Sequence, residues 1–163
     1  AMAKDVYVCA ELLDRKYANY LKQAMCDEII FIRDFDMHML ASSTATSGMA
    51  HIIYDIVSPE PGTSRIVTED IPAEFVNQSY SSFKDSFGQD EAHILLGLLE
   101  NTGSAGKMKM AALREAQKTS DVSRLVSNLQ KVKVLEMNRP VMLPPSDYVI
   151  QNYSRAIVLT RGA

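Results

Sequence analysis

The chain has 163 residues, 47% of them hydrophobic and 23% charged, with a formal net charge of -3. Those values suit one ordinary folded domain or two very small ones, and they exclude wholesale disorder, collagen and a continuous coiled coil. The only cysteines, Cys9 and Cys26, are too few for a disulfide framework or a four-thiolate zinc site, and a reducing compartment is expected.

Residues 1–3 (AMA) read as a cloning remnant or an internal start, with no signal peptide behind them. Residues 5–10 (DVYVCA) form a β-rich run. Residues 15–25 are helical, with Tyr17, Tyr20, Leu21 and Ala24 on one face and Asp14 as N-cap. Residues 28–32 (EIIFI) are a continuous apolar strand. A strand, a helix and a strand in so short a span predict a right-handed βαβ unit with parallel strands, buried on both faces.

A long helix is expected over residues 36–57, capped by Asp34 or Asp36 and closed by the segment SPEPG at 58–62. Its middle, ASSTATSG, is made of small residues with poor helix propensity, so its stability must come from packing, and a partner chain is the expected cover. Residues 37–54 contain no charged side chain, but two histidines and the Ser/Thr run argue for a buried or partner-covered helix rather than a membrane span.

The Pro-rich segment is the clearest boundary. Beyond it lie a strand at 63–71, a short helix at 80–87 with Phe83 and Phe87 on one side, and a buried strand at 92–99. A Gly-rich turn at 101–106 leads into two helical stretches. In the second, Ser120 caps a helix whose Val122, Leu125, Val126, Leu129 and Val132 keep the helical period. Strands at 141–143 and 156–160 finish the chain around Pro144, Pro145, Ser146 and Asp147. The fold class is therefore α/β: a partial Rossmann-like βαβ unit with a crossover helix, then a smaller α+β lobe. The expected domains are residues 4–58 and 63–163, the second with a helical insert at about 103–136.

Charge is unevenly spread. Residues 1–103 carry 7 basic and 16 acidic side chains, whereas 104–139 carry 8 and 3. The basic segment has no aromatic residue to stack a base and no Arg-rich run, so nucleic acid is not an expected partner.

Few residues suggest covalent chemistry, and no nucleophile-elbow, Cys-x-x-Cys, zinc-protease or phosphate-loop motif occurs. Residues 1–47 contain no glycine, so a phosphate-binding turn is missing there. Glu11, expected at the carboxyl end of the first strand, and Asp14, at the entry of the next helix, are the candidate ligand-binding residues. Glu11, Asp34 and His38 are the candidate metal ligands, Asp34 and His38 sharing a helix face; capping aspartates and a histidine at a subunit contact are the plainer alternative.

Residues 6–32 (VYVCAELLDRKYANYLKQAMCDEIIFI) resemble the later half of the N-terminal lobe of regulator-of-potassium-conductance (RCK, KTN or TrkA-type) domains, where a strand ending Ala-Glu, a helix and Ala-Gly-Ala-Asp-Glu-Val-Ile recur. Here the last phrase is Ala24-Met25-Cys26-Asp27-Glu28-Ile29-Ile30. Residues 143–150 (LPPSDYVI) are similar to the Pro-Pro-x-Asp-Tyr segment of that family's C-terminal lobe, although Ser154-Arg155 stands where the family has Gly-Asp.

The resemblance implies a cytoplasmic gating-ring domain of a prokaryotic potassium channel or transporter, lacking the first Rossmann half, on the cytoplasmic side of the cell membrane. It would sense a small ligand or ion and pass a conformational change to a pore on the same or a partner chain. It implies a homodimer through helix 36–57, assembled into a larger ring, and no enzymatic activity. Glu11 matches a carboxylate that helps bind calcium in some members, while Leu13 stands where those members have a further acidic residue. The ligands to consider are Ca2+ and a nucleotide (NAD, ADP or ATP). A nucleotide-binding enzyme fragment and a purely architectural dimerisation lobe are the alternatives. The basic insert is expected to face an acidic surface of another subunit.

Overall fold

The computed structural model describes residues 6–24, 26–58, 60–87, 93–103, 110, 112–114, 117–118, 121–133 and 136–161, with the backbone alone for 131–133. The expected cap Ser120, Met25, half of the Gly-rich turn, the first helical stretch of the insert in large part, and the side chains of Lys107, Lys109, Lys131 and Lys133 lie outside the described residues. Among the described residues the chain is mixed α/β, with a two-stranded parallel sheet and a four-stranded antiparallel sheet. It divides into two compact units: Ala1–Phe31 with Asn101–Asn138, and Ile32–Glu100 with Arg139–Ala163. We call them the parallel and antiparallel units.

In the parallel unit, β1 (Cys9–Leu12) pairs with β2 (Glu28–Phe31) in parallel, with Cys9 opposite Glu28 and Glu11 opposite Ile30. Between them run a 3-10 turn, Arg15–Tyr17, and α1 (Ala18–Gln23). Asp14 caps the turn as expected, accepting a hydrogen bond from the Lys16 amide over 2.9 Å. The expectation of a sheet buried on both faces is not met. Both strands alternate exposed and half-buried residues, so Glu11, Glu28 and Ile30 share an open face. Strand β1 also reaches past Glu11, which therefore lies within the strand and not beyond its end. In α5 (Val122–Lys133) the cap is Asp121, whose carboxylate accepts from the amides of Ser123 and Arg124.

The antiparallel unit opens on α2 (Ile32–Ala45), which follows β2 without a connecting loop. Because the helix begins at Ile32, Asp34 sits in its first turn, where its charge suits the helix dipole, and neither Asp34 nor Asp36 is the cap. The expected single helix over 36–57 is two helices. Gly48 takes a left-handed φ of 83° and caps α3 (Met49–Val57), a conformation that costs a glycine little. The Ser/Thr run ahead of it makes the break easy: the Thr44 hydroxyl donates to its own helix's Ala41 carbonyl over 2.7 Å.

The chain passes from α3 to β3 (Ser64–Asp70) within this one unit. The sheet order is β3-β6-β4-β5, with β4 (His93–Glu100), β5 (Arg139–Met142) and β6 (Arg155–Arg161) all antiparallel to their neighbours. Across one face lies α4 (Tyr80–Ser86), capped by Ser79. Tyr80 and Phe83 from the helix meet Leu98, Ala156 and Val158 from the strands and Ile150 from the loop, forming the buried core. Phe75 and Phe87 extend it, their rings 5.3 and 5.6 Å from that of Phe83.

A bulge interrupts the β4–β6 register between Leu95 and Gly97. At Gly97 the backbone of β5 comes so close that a Cβ would overlap the Val141 carbonyl oxygen. Only glycine admits that approach.

Candidate functional site

The carboxyl end of the parallel pair is where an α/β sheet of this kind presents ligand contacts. Glu11 is exposed on the open face, two residues before the strand-to-helix turn. Asp14 lies in that turn with its carboxylate engaged: one oxygen accepts from the Lys16 amide and the other stands 2.8 Å from the Lys16 ammonium. The hydrogen bond to Asp14 is the main reason the Lys16 ammonium titrates above its ordinary range. The Arg15 guanidinium lies 4.7 Å from the centre of the Phe31 ring, so this end of the sheet carries two cations beside two carboxylates.

Asp34 and His38 stand one helical turn apart on α2, in the other unit, and His38 is exposed. The candidate metal ligands are thus divided between the units, Glu11 in one and Asp34 with His38 in the other. Among the described residues, no group of three or more His, Cys, Asp and Glu side chains is arranged to hold a metal ion. His51, on α3, is exposed.

Sequence reasoning passed over two polar networks. In the first, the Tyr7 hydroxyl donates to Oε2 of Glu28 over 2.7 Å and accepts from Nδ2 of Asn138 over 2.9 Å. Burial, and then the Glu28 carboxylate, push the Tyr7 phenol above its ordinary range. In the second, Glu100 is a buried acid, 5% exposed, at the end of the apolar strand β4. The Tyr148 hydroxyl donates to its Oε1 over 2.6 Å, and Nη1 of Arg139 lies 3.8 Å from its Oε2. A charged residue closing the run ILLGLLE was the available signal, since a buried carboxylate needs partners.

Arg155, which stands where the resemblance has Asp, ties the sheet together. Its Nη2 donates to the Thr68 carbonyl over 3.0 Å, and its Nε stands 3.1 Å from Oδ1 of Asp70 without hydrogen-bond direction.

No helix among the described residues is long and apolar enough to cross a membrane. No family model matches the chain, and no curated protein is detectably similar to it in sequence.

Proposed function

We propose that the chain is a regulatory lobe of RCK type, on the cytoplasmic side of a membrane, that senses a small ligand or ion and passes a conformational change to a potassium pore. The observation that carries this reading is the order of parts: a parallel strand-helix-strand with Ala10-Glu11 in its first strand and Asp27-Glu28 entering its second, then a helical segment, then an antiparallel lobe containing Pro144-Pro145-Ser146-Asp147-Tyr148. That order supports the resemblance from two separate stretches of the chain. In this reading Glu11 is the ligand-binding carboxylate, Asp14 shapes the turn beside it, and Ca2+ or a nucleotide is the ligand. The helices over 36–57 are the dimer contact; their exposed Met37, Leu40 and Tyr54, each 67% or more accessible, support a covering partner.

The test is thermal unfolding of the chain with calcium, sodium, NAD, NADH, ADP or ATP, because a ligand that binds only the native state raises stability. A shift with one of them that Glu11→Gln abolishes is the expected result. No shift with any would leave an architectural dimerisation lobe, and a shift unchanged in Glu11→Gln would move the site elsewhere.

A further inference from the structure

Among the described residues the antiparallel sheet ends on β3 at one side and on β5 at the other. Strand β5 has four residues, one of them Pro140, which lacks an N–H, so it offers little to a further strand. Strand β3 has seven residues and contains neither proline nor glycine. In an antiparallel ladder the main-chain groups of successive residues point alternately to the paired neighbour and to the opposite side. Two residues of one parity in β3 find side-chain partners: the Ser64 amide donates to Oδ2 of Asp55 over 3.3 Å, and the Thr68 carbonyl accepts from Nη2 of Arg155 over 3.0 Å. This assigns the outward-facing groups to Ser64, Ile66, Thr68 and Asp70, and Ile66 in the middle is 44% exposed.

The sequence of β3, SRIVTED, is complementary to its own reverse about Val67. In an antiparallel pair centred there, Arg65 of each copy stands opposite Glu69 of the other, Ile66 stands opposite Thr68, and the two Val67 side chains face each other. Arg65 is exposed and Glu69 half-buried, and among the described residues neither has an ion-pair partner within the chain. Opposite charges and β-branched residues directly across from one another are what stabilise a strand pair. Sliding the register to the next alignment that keeps the same faces sets Arg65 or Glu69 against Val67 and forfeits both ion pairs.

We propose that β3 is an interaction edge for a second copy of this chain, two β3 strands pairing antiparallel about a two-fold axis at Val67. Ile66 of one copy exchanges both main-chain bonds with Thr68 of the other, and the Thr68 carbonyl keeps a second lone pair beside its bond from Arg155. Asp55 holds the Ser64 amide, which confines the pairing to the middle of the strand. The contact is isologous and closes on itself. It is also small, so it fills only at roughly millimolar chain. It is separate from the helix contact over residues 36–57 and does not rest on that reading or on any ligand.

Two measurements at roughly 1 mM chain test it, both on the full chain carrying Leu40→Glu so that association through α2 does not contribute. The first is sedimentation velocity of charge variants. Arg65→Glu or Glu69→Arg alone sets like charges across the pair and lowers the dimer association constant about five- to thirtyfold, whereas Arg65→Glu combined with Glu69→Arg restores it. The second is disulfide cross-linking with Cys9→Ser and Cys26→Ser in the background. Val67→Cys gives a covalent dimer on mild oxidation, because facing residues of a non-hydrogen-bonded pair lie within disulfide reach. Thr68→Cys does not, since its counterpart in the second copy is out of reach in this register. A double charge variant that associates no better than the single ones overturns the proposal. No cross-link at Val67→Cys, or equal cross-linking at Thr68→Cys, overturns it as well.

Discussion

Tyr148 donates its phenolic hydrogen to Oε1 of Glu100 at 2.6 Å, and the recipient carboxylate is 5% exposed. A loop residue thereby supplies a hydrogen-bond donor to a carboxyl group buried on a strand.

Tyr148→Phe leaves that carboxylate one donor short, and we expect a loss of about 1–3 kcal/mol in unfolding free energy at neutral pH. The hydrogen bond to Glu100, followed by burial, raises the phenol's titration in the folded state. A group held protonated on folding contributes stability that is complete below its unfolded value of about 10 and disappears as pH rises through the higher folded one. Urea unfolding of the parent chain should thus weaken above that pH, and part of this alkaline loss should be missing in Tyr148→Phe.

Gly97→Ala places a methyl group against the Val141 carbonyl and 3.0 Å from Met142 Cα, both main-chain atoms that cannot rotate away. The β4–β5 pairing must open or shift, at a cost of about 1–3 kcal/mol. Denaturant midpoints compare it with Gly62→Ala, where no neighbour lies within 4 Å and only the positive φ of 84° opposes the change.

Asp14→Ala separates a cap from a ligand. Loss of the bond to the Lys16 amide should lower stability by about 0.5–2 kcal/mol with or without ligand. Asp14→Asn keeps a side-chain oxygen for the cap, so calorimetry of Asp14→Asn should show near-parental stability, and any loss of ligand affinity in it reads the charge alone.

Leu40→Glu tests the covered-helix expectation, because Leu40 is 70% exposed in the single chain. Light scattering at tens of micromolar, on the order of the concentrations where weak dimers form, should give a dimer for the parent and a monomer for this variant.

Much of the fold is legible in the sequence. Strands β2, β3, β4 and β6 are found within a residue or two of their apolar or alternating runs, and the Asp14 cap and the Phe83–Phe87 face of α4 follow from spacing alone. The break at Gly48 is hidden because neither the glycine nor the Ser/Thr run before it forbids a continuous helix, and only the backbone reveals that the glycine is left-handed. The burial of β1 and β2 is overestimated for a related reason: a run such as EIIFI reads as buried on both faces, yet burial depends on which other elements cover the pair. Glu100 and Tyr148 are 48 residues apart, and no local pattern announces that they meet. Candidate metal ligands chosen by spacing, such as Asp34 and His38, share a helix face, but a third donor has to come from tertiary structure, and among the described residues none does.

The sheet order places β6 between β3 and β4, although β6 is the last strand among the described residues. During synthesis, β3 and β4 emerge first with no strand between them, and the hydrogen-bonding edges they present stay open until residues 155–161 leave the ribosome. The antiparallel unit is consequently assembled by its final strand entering a gap, a non-local closure that folds slowly and exposes aggregation-prone edges in the interval. Stopping translation before Arg155 removes an interior strand of the sheet and leaves β3 without its partner.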